Sequence, residues 1–186
     1  MNRTRMITVF ALILLSALTA FGKSKEEKQA EARKKADETL ERLYKTTPSA
    51  RAAIRSAAGY AVFNNGGMKI MVAGGGRGKG IAVDNASKKV TYMKMREIQA
   101  GLGMGAKKFS TIFVFENRAA LDRFIEGNMD FGGQTTAAAK TGDGGGGLQG
   151  AVSVSPGVWI YQMTDKGLAL ELTAKGTKYS KDDDLN

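Results

Sequence analysis

The sequence predicts an α+β fold: N-terminal helices, then a mainly antiparallel, glycine-rich sheet or barrel-like domain with one short inserted helix. Three observations carry that prediction. Residues 23–45 are charged, rich in alanine and free of glycine and proline; from Tyr60 onward the apolar period falls from helical to about two; and glycine recurs through the β region, most densely over residues 74–80.

The elements follow in order. Arg3 and Arg5 precede an uninterrupted apolar run over residues 6–15 and a small-residue stretch ending in Ala20-Phe21-Gly22. This is the pattern of a secretory signal peptide, assigned to residues 1–22. The apolar run is shorter than the roughly 20 residues that cross a bilayer, so a retained anchor is the secondary reading. Phe21 stands where a lipoprotein would carry its lipidated cysteine, which excludes lipidation there. The expected location is exported, either periplasmic or peripherally bound to the envelope.

Residues 23–46 read as an amphipathic helix. Ala32, Ala36, Leu40 and Leu43 form a narrow apolar stripe, and Lys28, Lys35 and Arg42 recur every seven residues along one edge. Glu31 with Lys35, Glu38 with Arg42 and Glu41 with Lys45 are acid-before-base pairs four apart, as on a solvated face. Two readings stand: a helix docked on the domain by its stripe, or one lying on an anionic bilayer. Thr47-Pro48 then caps a second helix over residues 49–58 with a small-residue face, which Gly59 ends.

Strands are expected at 60–63, 68–73, 80–83 and 89–95, with turns at Asn64-Asn65-Gly66-Gly67 and Asp84-Asn85-Ala86-Ser87. Short strands joined by short turns make a meander. Gly101, Gly103 and Gly105 alternate with apolar residues, as at a bend or tight barrel wall. Residues 110–115 are a strongly apolar strand feeding a short helix, with Asn117 as cap, Leu121, Phe124 and Ile125 as buried face and Gly127 as terminator. Residues 152–174 read as two long strands around a turn at 164–167. The glycine-rich segment 132–150 has no assigned element, and residues 179–186, with Asp182-Asp183-Asp184, read as a frayed acidic tail.

Composition limits the chemistry. The formal charge is +10, or +8 without Arg3 and Arg5. That surplus favours an anionic lipid or membrane surface, lipopolysaccharide phosphates or nucleic acid, and export argues against nucleic acid. There is neither cysteine nor histidine, so disulfides, a serine-histidine triad, a cysteine nucleophile and a usual zinc site are all excluded. Glu97, Glu116, Glu126 and Asp130 fall at element edges and helix surfaces, where carboxylates cap or solvate. No catalytic residue, metal or cofactor is expected. The glycines at 74–80 are not a nucleotide loop. Ala73 stands where the phosphate loop needs its first glycine, Gly80 follows Lys79 where serine or threonine is required, and a strand rather than a helix comes next. Gly142-Asp143-Gly144 likewise lacks the alternating oxygen ligands of a calcium loop.

Gly59-Tyr-Ala-Val-Phe63, the run from Val72 through Gly80, Gln99 through Ala106, Ile112-Phe-Val-Phe115, Gly167-Leu-Ala-Leu and Lys175-Gly-Thr-Lys178 occur in an order and spacing that resemble the SYLF-domain family, over residues 47–178. The resemblance implies a lipid-binding module. Eukaryotic members are described as binding phosphoinositides, several also bind or bundle actin filaments, and bacterial members are exported proteins or lipoproteins. It also implies a lipid-binding role for the amphipathic helix. Where relatives tend to carry an aromatic or acidic residue in the glycine strand, this chain has Arg77 and Lys79. The candidate lipid-binding residues are therefore Lys28, Lys35, Arg42, Arg77, Lys79, Lys107 and Lys108. The expected function is non-enzymatic binding of anionic phospholipid or lipopolysaccharide headgroups. The alternative is an envelope structural or protein-interaction domain with a protein partner and no direct lipid binding, and an actin role conflicts with export.

Overall fold

The computed structural model describes residues 22–70, 73–100, 105–129, 148–164, 167–168 and 177–186, without the side chains at 66–74 and 97–107. The expected signal segment, the Gly101–Gly103 alternation, most of the 132–150 segment and the end of the last expected strand lie outside these residues. Helix α1 spans Lys25–Thr46, α2 Ser49–Ser56 and α3 Arg118–Ile125. Strands β1 (Gly59–Ile70), β2 (Ala73–Asp84), β3 (Val90–Ala100) and β4 (Gly105–Phe115) are long; β5 (Val152–Ser155), β6 (Val158–Thr164), β7 (Gly167–Leu168) and β8 (Thr177–Lys181) are short.

All pairings are antiparallel, in the order β5-β6-β4-β1-β2-β3-β8, with β7 beside β6. The α+β expectation holds. A simple meander does not, because β4 returns to pair with β1 rather than β3, giving the spatial order 4-1-2-3 of a Greek key. The sheet is also strongly curled. Four strand spacings of about 4.8 Å separate β8 from β4 along the sheet, yet the Tyr179 and Phe113 ring centroids are 5.0 Å apart.

That curl encloses one apolar cluster and leaves the other face for the helices. Phe63, Phe113, Phe115, Met93, Met95 and Tyr179 pack together with Leu121 and Phe124 of α3. On the opposite face Val62, Ile81, Val83, Ile112, Val114 and Tyr161 receive Ala36, Leu40 and Leu43 of α1 and Ala50, Ala53 and Ile54 of α2. Because both faces are covered, the end of β4 over Ile112 to Phe115 is a continuous apolar run; Phe113 and Phe115 turn to one core, and Ile112 and Val114 to the other.

Several local expectations are corrected by these contacts. Asn64-Asn65-Gly66-Gly67 is not a turn but the middle of β1. Asn64 Oδ1 accepts from Ser110 Oγ at 2.9 Å and Thr39 Oγ1 at 3.0 Å, and Asn65 Nδ2 donates to Thr111 Oγ1 at 3.2 Å. Residues with turn chemistry are thus held straight by side chains on β4 and α1. Thr47 does not cap α2 with its side chain; it closes α1, its N–H donating to the Leu43 carbonyl, and Pro48 takes the cap position. Gly59 does not stop α2, which ends at Ser56. Gly59 opens β1, where a Cβ would lie 2.7 Å from the Leu121 side chain.

The acidic C-terminus is docked rather than frayed. Residues 177–181 form β8 against β3. Leu185 is 2% exposed beneath α1, Gln29 Nε2 donates to its carbonyl at 2.7 Å, and Asn186 Oδ1 accepts from the Tyr92 N–H at 2.9 Å while its Nδ2 donates to the Tyr92 carbonyl at 2.8 Å.

Candidate functional site: a basic groove between α1 and the sheet

The N-terminal half of α1 crosses the sheet over β2 and β3. Ser24 starts the helix with a reciprocal cap: its Oγ accepts from the Glu27 N–H at 3.1 Å and its N–H donates to Glu27 Oε2 at 2.8 Å. Arg33 fixes the helix on the strand beneath, donating to the Tyr92 hydroxyl at 2.6 Å. Lys28 and Lys35 are seven residues apart, about 10.5 Å along the axis, on the edge that overhangs the groove.

The sheet supplies the other wall. In β2 the even residues Gly78 and Gly80 face the aromatic cluster, which leaves Arg77 and Lys79 pointing to the helix side. Arg77 pairs in register with Arg96 of β3, and Lys79 with Lys94. The resulting groove has a volume of about 780 Å³, and Lys28, Lys35, Arg77, Lys79, Lys94 and Arg96 line it. Three carboxylates, Glu31, Asp182 and Asp184, also line it, so positive charge is in excess by three.

The carboxylates are unevenly distributed. Lys35 and Lys23 both reach Glu31 at 2.7 Å, and these two ammonium groups hold the exposed Glu31 carboxyl down at about 2, Lys23 contributing most. Lys79 lies 3.8 Å from the buried Asp182, and Lys94 3.2 Å from Asp183. Among the described residues, Lys28, Arg77 and Arg96 have no acidic partner within 4.0 Å.

The structure brings together four of the expected residues, Lys28, Lys35, Arg77 and Lys79, that sequence placed on two separate surfaces. Lys108 is exposed on β4 at the far end of the same cross-strand row, which runs Lys108, Gly66, Arg77, Arg96, Lys178. The Lys107 side chain lies outside the described residues. Arg42 is not in the groove: its guanidinium donates to the Thr164 carbonyl at 2.9 Å. Lys94 and Arg96 were not among the expected residues. Their signal was alternation with Met93 and Met95, which marks a strand with one apolar face.

Comparison with known proteins places the sequence beside two sets of relatives. The family model described as a Las17-binding protein actin regulator matches residues 96–186. Beta cell expansion factor A of Aeromonas veronii is 33% identical over 150 residues, covering 81% of this chain and 56% of that protein. The chain belongs to the SYLF-domain family. It spans just over half the length of the curated relative it matches.

SYLF membership supports a lipid-binding or actin-regulator-related domain, with lipid or protein interaction as the general activity. The family match includes β3 from Arg96 onward and the docked C-terminus; Arg77, Lys79 and the helix cations precede it. No described helix is long and apolar enough to cross a membrane.

Proposed function

We propose that this SYLF protein is an exported, non-enzymatic module that binds anionic phospholipid or lipopolysaccharide headgroups at an envelope surface, through the face shared by α1, β2 and β3. One observation carries the reading: six basic side chains from three elements converge on one groove with half as many carboxylates. Each cation brought near an anionic surface contributes about 1 kcal/mol, so the group supplies useful affinity without deep insertion. Insertion of α1 is disfavoured, because Leu40 and Leu43 are already buried on the sheet.

The experiment is flotation of the mature protein with neutral and anionic liposomes across a salt series. The reading requires anionic preference that weakens as salt rises. Reversing charge at Lys28 and Lys35, or at Arg77 and Lys79, should each reduce binding, since both pairs line one groove. Equal partition to neutral and anionic vesicles would leave the protein-interaction alternative.

A further inference from the structure

The sheet wall of the groove places like charges face to face. Arg77 is directly opposite Arg96, and Lys79 directly opposite Lys94. Opposed positions on an antiparallel pair bring Cβ atoms to about 5 Å, and like charges there are destabilising. The lysine pair is relieved from within the chain, because Asp182 and Asp183 sit against Lys79 and Lys94. The arginine pair, one step or about 6.7 Å further along the strands, has no carboxylate within 4.0 Å among the described residues. Both guanidinium groups are on exposed residues, and Lys28 lines the same groove from α1.

We infer that the Arg77–Arg96 pair is a binding site for a dianionic phosphate group, a phosphomonoester carried by a lipid headgroup or free in solution. The inference rests on the membrane-surface reading above for the lipid source, and it names the headgroup chemistry. A phosphomonoester carries close to two negative charges at neutral pH, whereas a phosphodiester carries one. Only the monoester therefore balances both arginines. Its terminal oxygens also match two guanidinium forks, each able to donate two parallel hydrogen bonds. The C-terminal carboxylates contribute selectivity: they neutralise the neighbouring lysine row and leave the uncompensated positive charge of the groove on the two arginines and Lys28 above them.

The test compares vesicles of phosphatidylcholine with phosphatidic acid, a monoester, against vesicles of phosphatidylcholine with phosphatidylglycerol, a diester, at matched surface potential. Wild type should bind the phosphatidic acid vesicles about tenfold more tightly. The double variant Arg77→Gln, Arg96→Gln should lose that preference, the ratio of its two affinities falling to about one, and should bind both charged vesicles more weakly than wild type, since two of the six cations lining the groove are removed. A soluble arm uses glycerol 3-phosphate, which should raise the thermal midpoint of wild type and not that of the variant. The variant's own midpoint in buffer should equal or exceed wild type, because a repulsive pair has been removed, and this shows that it folds. Equal affinity for the two charged vesicles overturns the inference while leaving the membrane reading intact. Binding to neither vesicle overturns the membrane reading; glycerol 3-phosphate stabilisation of wild type alone would then assign the site to free phosphate, and its absence would overturn the inference too.

Discussion

The ring of Phe63 on β1 occupies the space that a side chain at position 80 on β2 would fill. The two residues are paired in register, and a Cβ built on Gly80 would stand 2.6 Å from Phe63 Cδ1 and closer still to the Val62 carbonyl oxygen. Gly78 stands in the same relation to Asn65. The glycine strand is a cradle for the inner face of β1, and it lets Phe63 reach Tyr179, 4.7 Å away between ring centroids. Gly80→Ala should therefore destabilise the fold by about 1–3 kcal/mol, with the ring or the strand forced to move. Urea unfolding measures this; an unchanged midpoint would contradict the packing described.

Phe113 lies at the centre of the aromatic cluster, with Phe63, Phe115, Phe124 and Tyr179 all within 6.1 Å between centroids. Phe113→Ala is expected to cost about 3–5 kcal/mol in chemical denaturation, a large fraction of the stability of a domain this size. A cost under about 1 kcal/mol would mean that the curl of the sheet does not depend on this core.

Leu185 ties the C-terminus to α1. Truncation as Leu185→Ala should cost about 2–3 kcal/mol, and hydrogen exchange should rise in the first turns of α1, where Gln29 bonds the Leu185 carbonyl. Exchange unchanged in α1 would show that the two segments are not coupled.

Asp84 bolts the β2–β3 turn to α3. Its carboxylate accepts from the Ser87 hydroxyl at 2.6 Å, the Ala86 N–H at 2.9 Å and Arg118 at 2.7 Å. These donors, Ser87 foremost, hold its pKa down at about 2 against an ordinary value near 3.8. A depressed carboxyl contributes stability that is fully present above its unfolded value and is lost as pH falls through the folded one. Asp84→Asn should thus be less stable than wild type at neutral pH, and the gap should narrow between about pH 4 and pH 2. Thermal melts across that range decide it, and a gap independent of pH would refute the assignment.

Arg42 serves as a control for the binding face. Since it bonds the Thr164 carbonyl and stands apart from the groove, Arg42→Gln should leave vesicle affinity within about twofold of wild type, as for a peripheral surface charge. A loss as large as that of Lys28→Gln would move the site onto the outer edge of the helix.

The locally encoded features were legible in the sequence. Asn117 caps α3, its Oδ1 accepting from the Ala120 N–H at 2.9 Å, and Gly127 ends that segment with φ of +77°. The stripe of α1 is buried at Ala36, Leu40 and Leu43. Asp84 to Ser87 is a turn because its own side chains close it. Each of these signals is complete within a few residues, so no distant partner can change its meaning.

Other features depend on register between distant segments. Asn64 through Gly67 carries turn chemistry, yet Ser110 and Thr39 donate to Asn64 Oδ1, Thr111 accepts from Asn65 Nδ2, and β1 stays extended. The acidic run becomes the counter-ion set of a groove only because β8 pairs with β3. Arg77 and Arg96 are 19 positions apart, and nothing local says that they face each other. Residue order alone carried the α+β class, the helix faces and a family; folding brought basic residues on α1, β2 and β3 into one site. Periodicity states which way a side chain points within its own element, whereas strand register and helix placement state what it meets.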